Sequence, residues 1–318
     1  MTAQPFSLAP DRRRFLRQLP LLAAAPALVR GFGQESRDRK LHLSSNQYTW
    51  SVYFARDGRN FGENLDGNLQ EIARADLDGL EPSGSDPGSV TRMGAGLRRQ
   101  QLEMRSLYVN SSLHEAEQAE KSIQEILAIA KAARAVGTRI IVTNPNPIQW
   151  GGEQNKTDAQ LQTQARALNS LGEQLADLDL KLAYHNHDIE LRNAAREFHH
   201  MMVGTDPRVV HLCLDAHWVY RGSGNSAVAL FDIVELYGKR VVELHVRQSH
   251  EGVWSEVFTA RDDIDYARLV AALVRHGVRP LVVLEQAPEK GTPKTLTAVE
   301  AIRRSAIEAR RVFAPLAG

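Results

Sequence analysis

The stretch Ala183-Tyr184-His185-Asn186-His187-Asp188 decides the fold of this chain. A strand-like run from Leu178 to Ala183 leads into it, and a helical pattern follows. Side chains alternate along a strand, so His185 and His187 point the same way. Three later strand-like runs carry similar chemistry: Leu212-Cys213-Leu214-Asp215-Ala216-His217, Glu243-Leu244-His245-Val246-Arg247 and Val283-Leu284-Glu285-Gln286. By the same alternation Cys213, Asp215 and His217 share a face, as do His245 and Arg247. Metal-competent side chains at the ends of successive strands point to a parallel barrel with its site at the carboxyl face.

Working outward, the chain repeats strand, loop and helix about eight times. The strand candidates are 41–43, 79–81, 104–109, 139–143, 180–185, 209–215, 241–245 and 281–285. Helical patterns fall between them, at 65–75, 90–99, 114–136, 159–176, 194–202, 228–237, 266–276 and 295–313. The pattern at 114–136 is the strongest, with Ile123, Ile126, Leu127, Ile129 and Ala130 at helical spacing. At roughly 35 residues per unit the expected fold is a single (β/α)8 TIM barrel over residues 35–318. A doubly wound open sheet is the alternative; it lacks a glycine-rich phosphate turn after the first strand.

Composition bounds the function. The 318 residues carry a net charge of +1, 43% are hydrophobic and 24% charged, as in ordinary soluble domains. Near-neutrality gives no electrostatic reason to expect a nucleic-acid partner. No segment after the N-terminal region has the roughly 18 apolar residues of a membrane span. Cys213 is the one cysteine, so no disulfide forms within the chain.

A charged group inside a barrel is costly unless paired or metal-bound. His185, Asp215, His245 and Glu285 together offer nitrogen and oxygen donors for one divalent ion. Two imidazoles favour Mn, Co, Fe or Zn, with Mg compatible. His187 and His217 are candidates for acid or base, or for orienting the ligands. Arg247 is a candidate to neutralise an oxyanion, or to form a salt bridge at the barrel mouth. Glu81, Asn110, His114, Asn144 and Asn146 lie at strand ends, where they can bind hydroxyl groups or shape loops. Trp50 and Trp254 can stack on a ligand ring or simply pack.

These pieces resemble the sugar phosphate isomerase/epimerase superfamily of xylose isomerase-like TIM barrels. The resemblance runs from about Leu41 to Phe313. It rests on Ala183–Asp188, Leu214-Asp215-Ala216-His217 with Gly222 and Gly224, Val242–Val246, and Asp262-Asp263-Ile264-Asp265-Tyr266 before Leu284-Glu285. In that family Glu, Asp, His and Glu at strand ends hold a divalent metal, which implies Asp215, His245 and Glu285 here. His185 stands in place of the fifth-strand glutamate, as in the branch resembling inosose dehydratases and 3-keto-sugar lyases. The usual Lys-Asp after the seventh-strand histidine is Arg247-Gln248. Both departures weigh against two-base epimerisation. The expected chemistry is proton abstraction beside a sugar carbonyl, followed by isomerisation or β-elimination. An oxidised, uncharged sugar such as a keto-glycoside is the expected substrate. The sequence is compatible with a homo-oligomer. A phosphodiester-cleaving barrel of the endonuclease IV type and a non-catalytic sugar-binding protein are the competing readings.

Asp11-Arg12-Arg13-Arg14-Phe15-Leu16-Arg17 precedes a mostly apolar stretch from Leu19 to Val29. This resembles a twin-arginine signal peptide, with Asp11 in place of the usual Ser or Thr. The expectation is a signal over residues 1–34 and a periplasmic destination, with no membrane attachment after its removal. Replacing Arg12 and Arg13 together by lysine should abolish periplasmic yield in a fractionation assay; unchanged yield would refute the twin-arginine reading.

Overall fold

Eight short parallel strands form the wall of the molecule in this computed structural model, which describes residues 40–317. They are β1 (Leu43–Asn46), β2 (Gly79–Glu81), β3 (Ser106–Tyr108), β4 (Ile140–Thr143), β5 (Lys181–His185), β6 (Val210–Asp215), β7 (Val241–Val246) and β8 (Leu281–Leu284). The hydrogen-bonded order is β2, β1, β8, β7, β6, β5, β4, β3. The two ends of that order meet through single bridges, Gly79 with Glu103 and Ser83 with Tyr108. Leu80 N–H donates to Glu103 O at 3.0 Å and Tyr108 N–H to Pro82 O at 3.0 Å, so the eight strands close into the expected (β/α)8 barrel. The proposed signal lies outside the described residues.

The helices of the outer ring follow their caps and apolar stripes. Asp86 and Ser89 form a reciprocal capping box at the start of Pro87–Arg99, Thr157 and Gln160 at Asp158–Ala176, and Thr297 and Glu300 at Ala298–Phe313. Ala116–Ala135 buries Ile123, Ile126, Ile129, Ala130 and Ala133 along one face. No described helix is long and apolar enough to cross a membrane.

Three local expectations change. The first strand lies at 43–46 rather than 41–43, and a helix, Gln47–Arg56, follows it at once. Asn46 caps that helix by accepting from Thr49 N–H at 3.1 Å. Its Trp50 is fully buried, with Nε1 donating to Ser45 Oγ at 2.7 Å, so this indole packs and does not meet a ligand. The third change follows β6. Asp215 caps a short helix, Ala216–Gly222, accepting from His217 N–H at 2.9 Å and Trp218 N–H at 2.8 Å. The strand alternation therefore breaks at Ala216, and His217 does not share the face of Cys213 and Asp215. Gly222 ends this helix against the loop after β5: a Cβ there would stand 2.7 Å from Asp188 O, which only glycine avoids.

Candidate active site

Register gathers the candidate ligands. Asp215 pairs across to His245, and His245 to Val283; His185 pairs to Cys213, and Cys213 to Glu243. Parallel partners in register face the same side, so these residues form successive layers on the inner face. Glu81 ends β2, and Glu285 follows β8. One ligand atom each from Asp215, His245 and Glu285 lies within 4.8 Å of the others. His245 is the hub. Its Nδ1 lies 2.9 Å from Glu285 Oε2 and its Nε2 2.8 Å from Glu81 Oε2 and 3.3 Å from Glu243 Oε1. Asn46 Nδ2 donates to Glu285 Oε2. The His185 ring sits 4.7 Å from that of His245.

The electrostatics are lopsided. Glu81, Asp215, Glu243 and Glu285 are all buried, while buried Arg247, 3.6 Å from Glu285 Oε1, and His245 are the cations beside them. Burial pushes Glu81 up to about 8, and burial with the Glu285 charge pushes Asp215 up to about 7. Burial opposes charge on His245, yet the acid groups around it win and hold its proton on well above the usual range. Burial depresses His185 well below it. Glu81 Oε1, Asp215 Oδ2, Glu243 Oε2 and His185 Nδ1 are buried with no hydrogen-bond partner. Glu81 and Glu243 form a second group of potential ligands with His245, and His185 and Cys213 a third. Buried polar atoms are ordinarily satisfied, so orphaned acceptors around His245 fit a cation. The donor set, carboxylate and imidazole, fits a divalent ion.

Above the cluster opens a cavity of about 410 Å³, and Glu81, His185, His187, Arg247 and Glu285 line it. His187 faces it with Nδ1 unpartnered, its ring 5.2 Å from Trp150 and 4.8 Å from His185. Burial brings His187 down to about 4, so it is a neutral imidazole. Other expected residues stand elsewhere. His217 is buried behind the wall, with Nε2 2.9 Å from Ser249 Oγ and its ring 4.1 Å from that of Trp254. Trp254 backs Arg247, whose guanidinium carbon lies 4.0 Å from the ring centroid. Neither reaches the cavity wall. Asn110 is exposed and His114 half-buried, both outside the wall. Asn144 is fully buried and donates to His185 O at 2.9 Å and Glu190 Oε1 at 3.1 Å.

Sequence reasoning missed Glu243, Trp150, Trp218, Tyr48 and Tyr108. Glu243 was findable, because it lies two residues before His245 on the same strand. Trp150 sits in a long loop that no periodicity addresses.

Glu190 was also missed, and it frames the two histidines. Its buried carboxylate accepts from His187 N–H at 2.7 Å through Oε2 and from Asn144 through Oε1. Asn144 in turn grips the His185 carbonyl, so one acid fixes the backbone of both rings. Two residues later Arg192 donates to Gly152 O at 2.8 Å, tying this segment to the loop that bears Trp150. Glu190→Ala should lower kcat by about tenfold or more with KM little changed, since it disturbs His187 without touching the cavity wall. Glu190→Gln keeps an acceptor for His187 N–H and should recover most of the rate; equal loss in both variants would remove this positioning role.

Comparison with known proteins places the chain. The family described as xylose isomerase-like TIM barrel matches residues 69–306. An inosose dehydratase of Bacillus licheniformis is 25% identical over 263 residues, covering 73% of this chain and 84% of the relative. An inosose dehydratase of Clostridium botulinum (strain Eklund 17B / Type B) is 26% identical over 200 residues; the match spans 59% of this chain and 65% of that relative's length. The crystal structure of a sugar phosphate isomerase/epimerase from Parabacteroides distasonis superposes with a TM-score of 0.67 at 16% identity, covering 90% of this chain and 97% of that one. With more than half of its length matched, the chain belongs to the xylose isomerase-like TIM barrel family.

Proposed function

We propose that this protein is a metal-dependent enzyme acting on keto-sugars or keto-cyclitols. It removes the proton on the carbon beside the carbonyl and expels a hydroxyl group from the next carbon. One observation carries this reading: a buried acid and imidazole cluster with orphaned acceptors opens onto a cavity lined by a partnerless histidine. The inosose dehydratase relatives support it, since dehydration of a ketone beside hydroxyl groups is that reaction class.

Asp215, His245, Glu285 and His185 would hold the ion, which when bound supplies Lewis-acid polarisation of the carbonyl. The chain's own groups do the rest. Aromatic walls of Trp150 and Trp218 and polar groups of Asn46, Gln47 and Ser83 suit a neutral polyhydroxy ring. Arg247, held by Glu289 at 2.9 Å, faces the cavity and offsets charge gathering on the carbonyl oxygen. His187 takes the proton from carbon. The C–H electron pair becomes a C=C bond as the C–O bond of the neighbouring hydroxyl breaks. The departing hydroxide takes the proton back from His187 and leaves as water, so atoms and charge balance.

The alternatives fit less well. The wall carries a single lysine or arginine, Arg247, among the described residues, where a phosphodiester-cleaving site needs a basic groove. A mere sugar-binding protein has no use for a buried acid cluster that costs stability. The twin-arginine pattern supports placing this reaction in the periplasm.

An inosose and free keto-sugars incubated in heavy water should lose water and exchange deuterium at the carbon beside the carbonyl. His187→Ala should slow exchange by roughly 100-fold or more while the protein keeps its metal. His185→Glu should weaken elimination with the metal still bound. Efficient stereochemical inversion by the wild type, or unchanged exchange in His187→Ala, would contradict this mechanism.

A further inference from the structure

The strands set the order in which the cavity wall carries its groups. In the closed ring β7, β6, β5, β4 and β3 stand side by side. Arg247 lies just past β7, His187 just past β5, and Tyr108 ends β3, so His187 sits midway between the other two. The arc is continuous. The Arg247 guanidinium carbon lies 5.4 Å from the centre of the Trp218 ring, and that ring lies 5.8 Å from His187. The rings of His187 and His185 are 4.8 Å apart, and those of His185 and Tyr108 5.6 Å. All five residues line the cavity.

Tyr108 faces inward. It pairs in register with Val142, and Val142 with Ala183, which shares a strand face with His185. Its ring packs against the inner cluster of Ile140, Val142, Ala183 and Cys213. Its N–H is held by Pro82 O at 3.0 Å, while its hydroxyl meets no hydrogen-bond partner among the described residues. Two other donors of the wall are already committed, Asn46 to Glu285 and Tyr48 to Glu289. A phenol is protonated near neutral pH, so Tyr108 offers the cavity a donor on a fixed ring.

The order of these groups matches the order of atoms in the reaction. In the substrate the carbonyl carbon, the carbon that loses its proton and the carbon that loses its hydroxyl follow one another. Arg247 serves the carbonyl oxygen and His187 the proton, so the third carbon falls toward β3, where Tyr108 stands. We propose that Tyr108 is a further catalytic residue, donating a hydrogen bond to the departing hydroxyl. As the C–O bond breaks, its electron pair stays on that oxygen, which takes the proton from His187 and leaves as water. The phenol keeps its own proton and offsets the charge gathering on the oxygen. This role rests on the proton-abstraction reading and extends it to the bond that breaks.

Tyr108→Phe removes the hydroxyl and keeps the ring that packs against the inner cluster, so the barrel should fold and take up metal as before. The full, metal-loaded protein is given an inosose in heavy water, and deuterium entry beside the carbonyl and loss of water are followed separately. In Tyr108→Phe elimination should slow by about tenfold or more while exchange is unchanged, so the ratio of exchange to elimination rises by the same factor. Fluoride is a far weaker base than hydroxide and needs less help to leave. An inosose with fluorine in place of the departing hydroxyl should therefore restore most of the elimination rate of Tyr108→Phe. A fall in both rates together, no change in either, or no rescue by fluorine would overturn the role of Tyr108. A wild type that neither exchanges nor eliminates would instead remove the proton-abstraction reading, and this role with it.

Discussion

Everything at the carboxyl face hangs on His245. Its two ring nitrogens meet carboxylates, Glu285 and Glu81, and all three side chains are buried in the barrel. Burial resists ionisation, and the neighbouring acids Glu243 and Glu285 add to it, which is why Glu81 and Asp215 are pushed up so far. A protein that buries four carboxylates in one place gives up stability there. The natural resolution is an ion with two positive charges, which turns each of those penalties into an attraction.

Around this centre the fold is arranged to fix positions rather than to add contacts. The pairing of β5, β6 and β7 puts His185, Cys213 and Glu243 at one level and Asp215 and His245 at the next, without any loop having to place them. The loops then refine the arrangement. Asp215 caps the helix after its own strand through Oδ1, which pins that oxygen and leaves Oδ2 without a partner. Glu190 and Asn144 lock the backbone of the two histidines. Glu289 links Arg247 to Tyr48 from across the mouth. Rigid strands supply the chemistry and a net of polar loop contacts supplies the aim.

The barrel and the inner residues were legible in the sequence because both follow from period-two alternation. The alternation put Asp215 on one face with Cys213, and His245 on one with Arg247, and the register then brings Asp215 beside His245. It failed at His217, where Asp215 ended the strand by capping a helix only seven residues long. It left open whether Trp50 stacks on a ligand or packs, because a helix starting directly at Gln47 leaves no loop to announce it. Glu190 and Trp150 belong to segments without periodicity, and their roles come from distant partners such as Asn144 and Gly152. The hydroxyl-binding roles foreseen for Asn110 and His114 rested on position after a strand alone, and the third loop carries both outside the cavity wall.

The central claim is that the acid cluster exists to hold a divalent ion, and the most direct measurement is the metal content of the purified protein. After chelation and titration with Mn²⁺, the wild type should take up about one ion per chain, and Asp215→Ala and Glu285→Ala should each lose it. A wild type that binds no divalent ion, or full stoichiometric binding retained in both variants, would contradict the account.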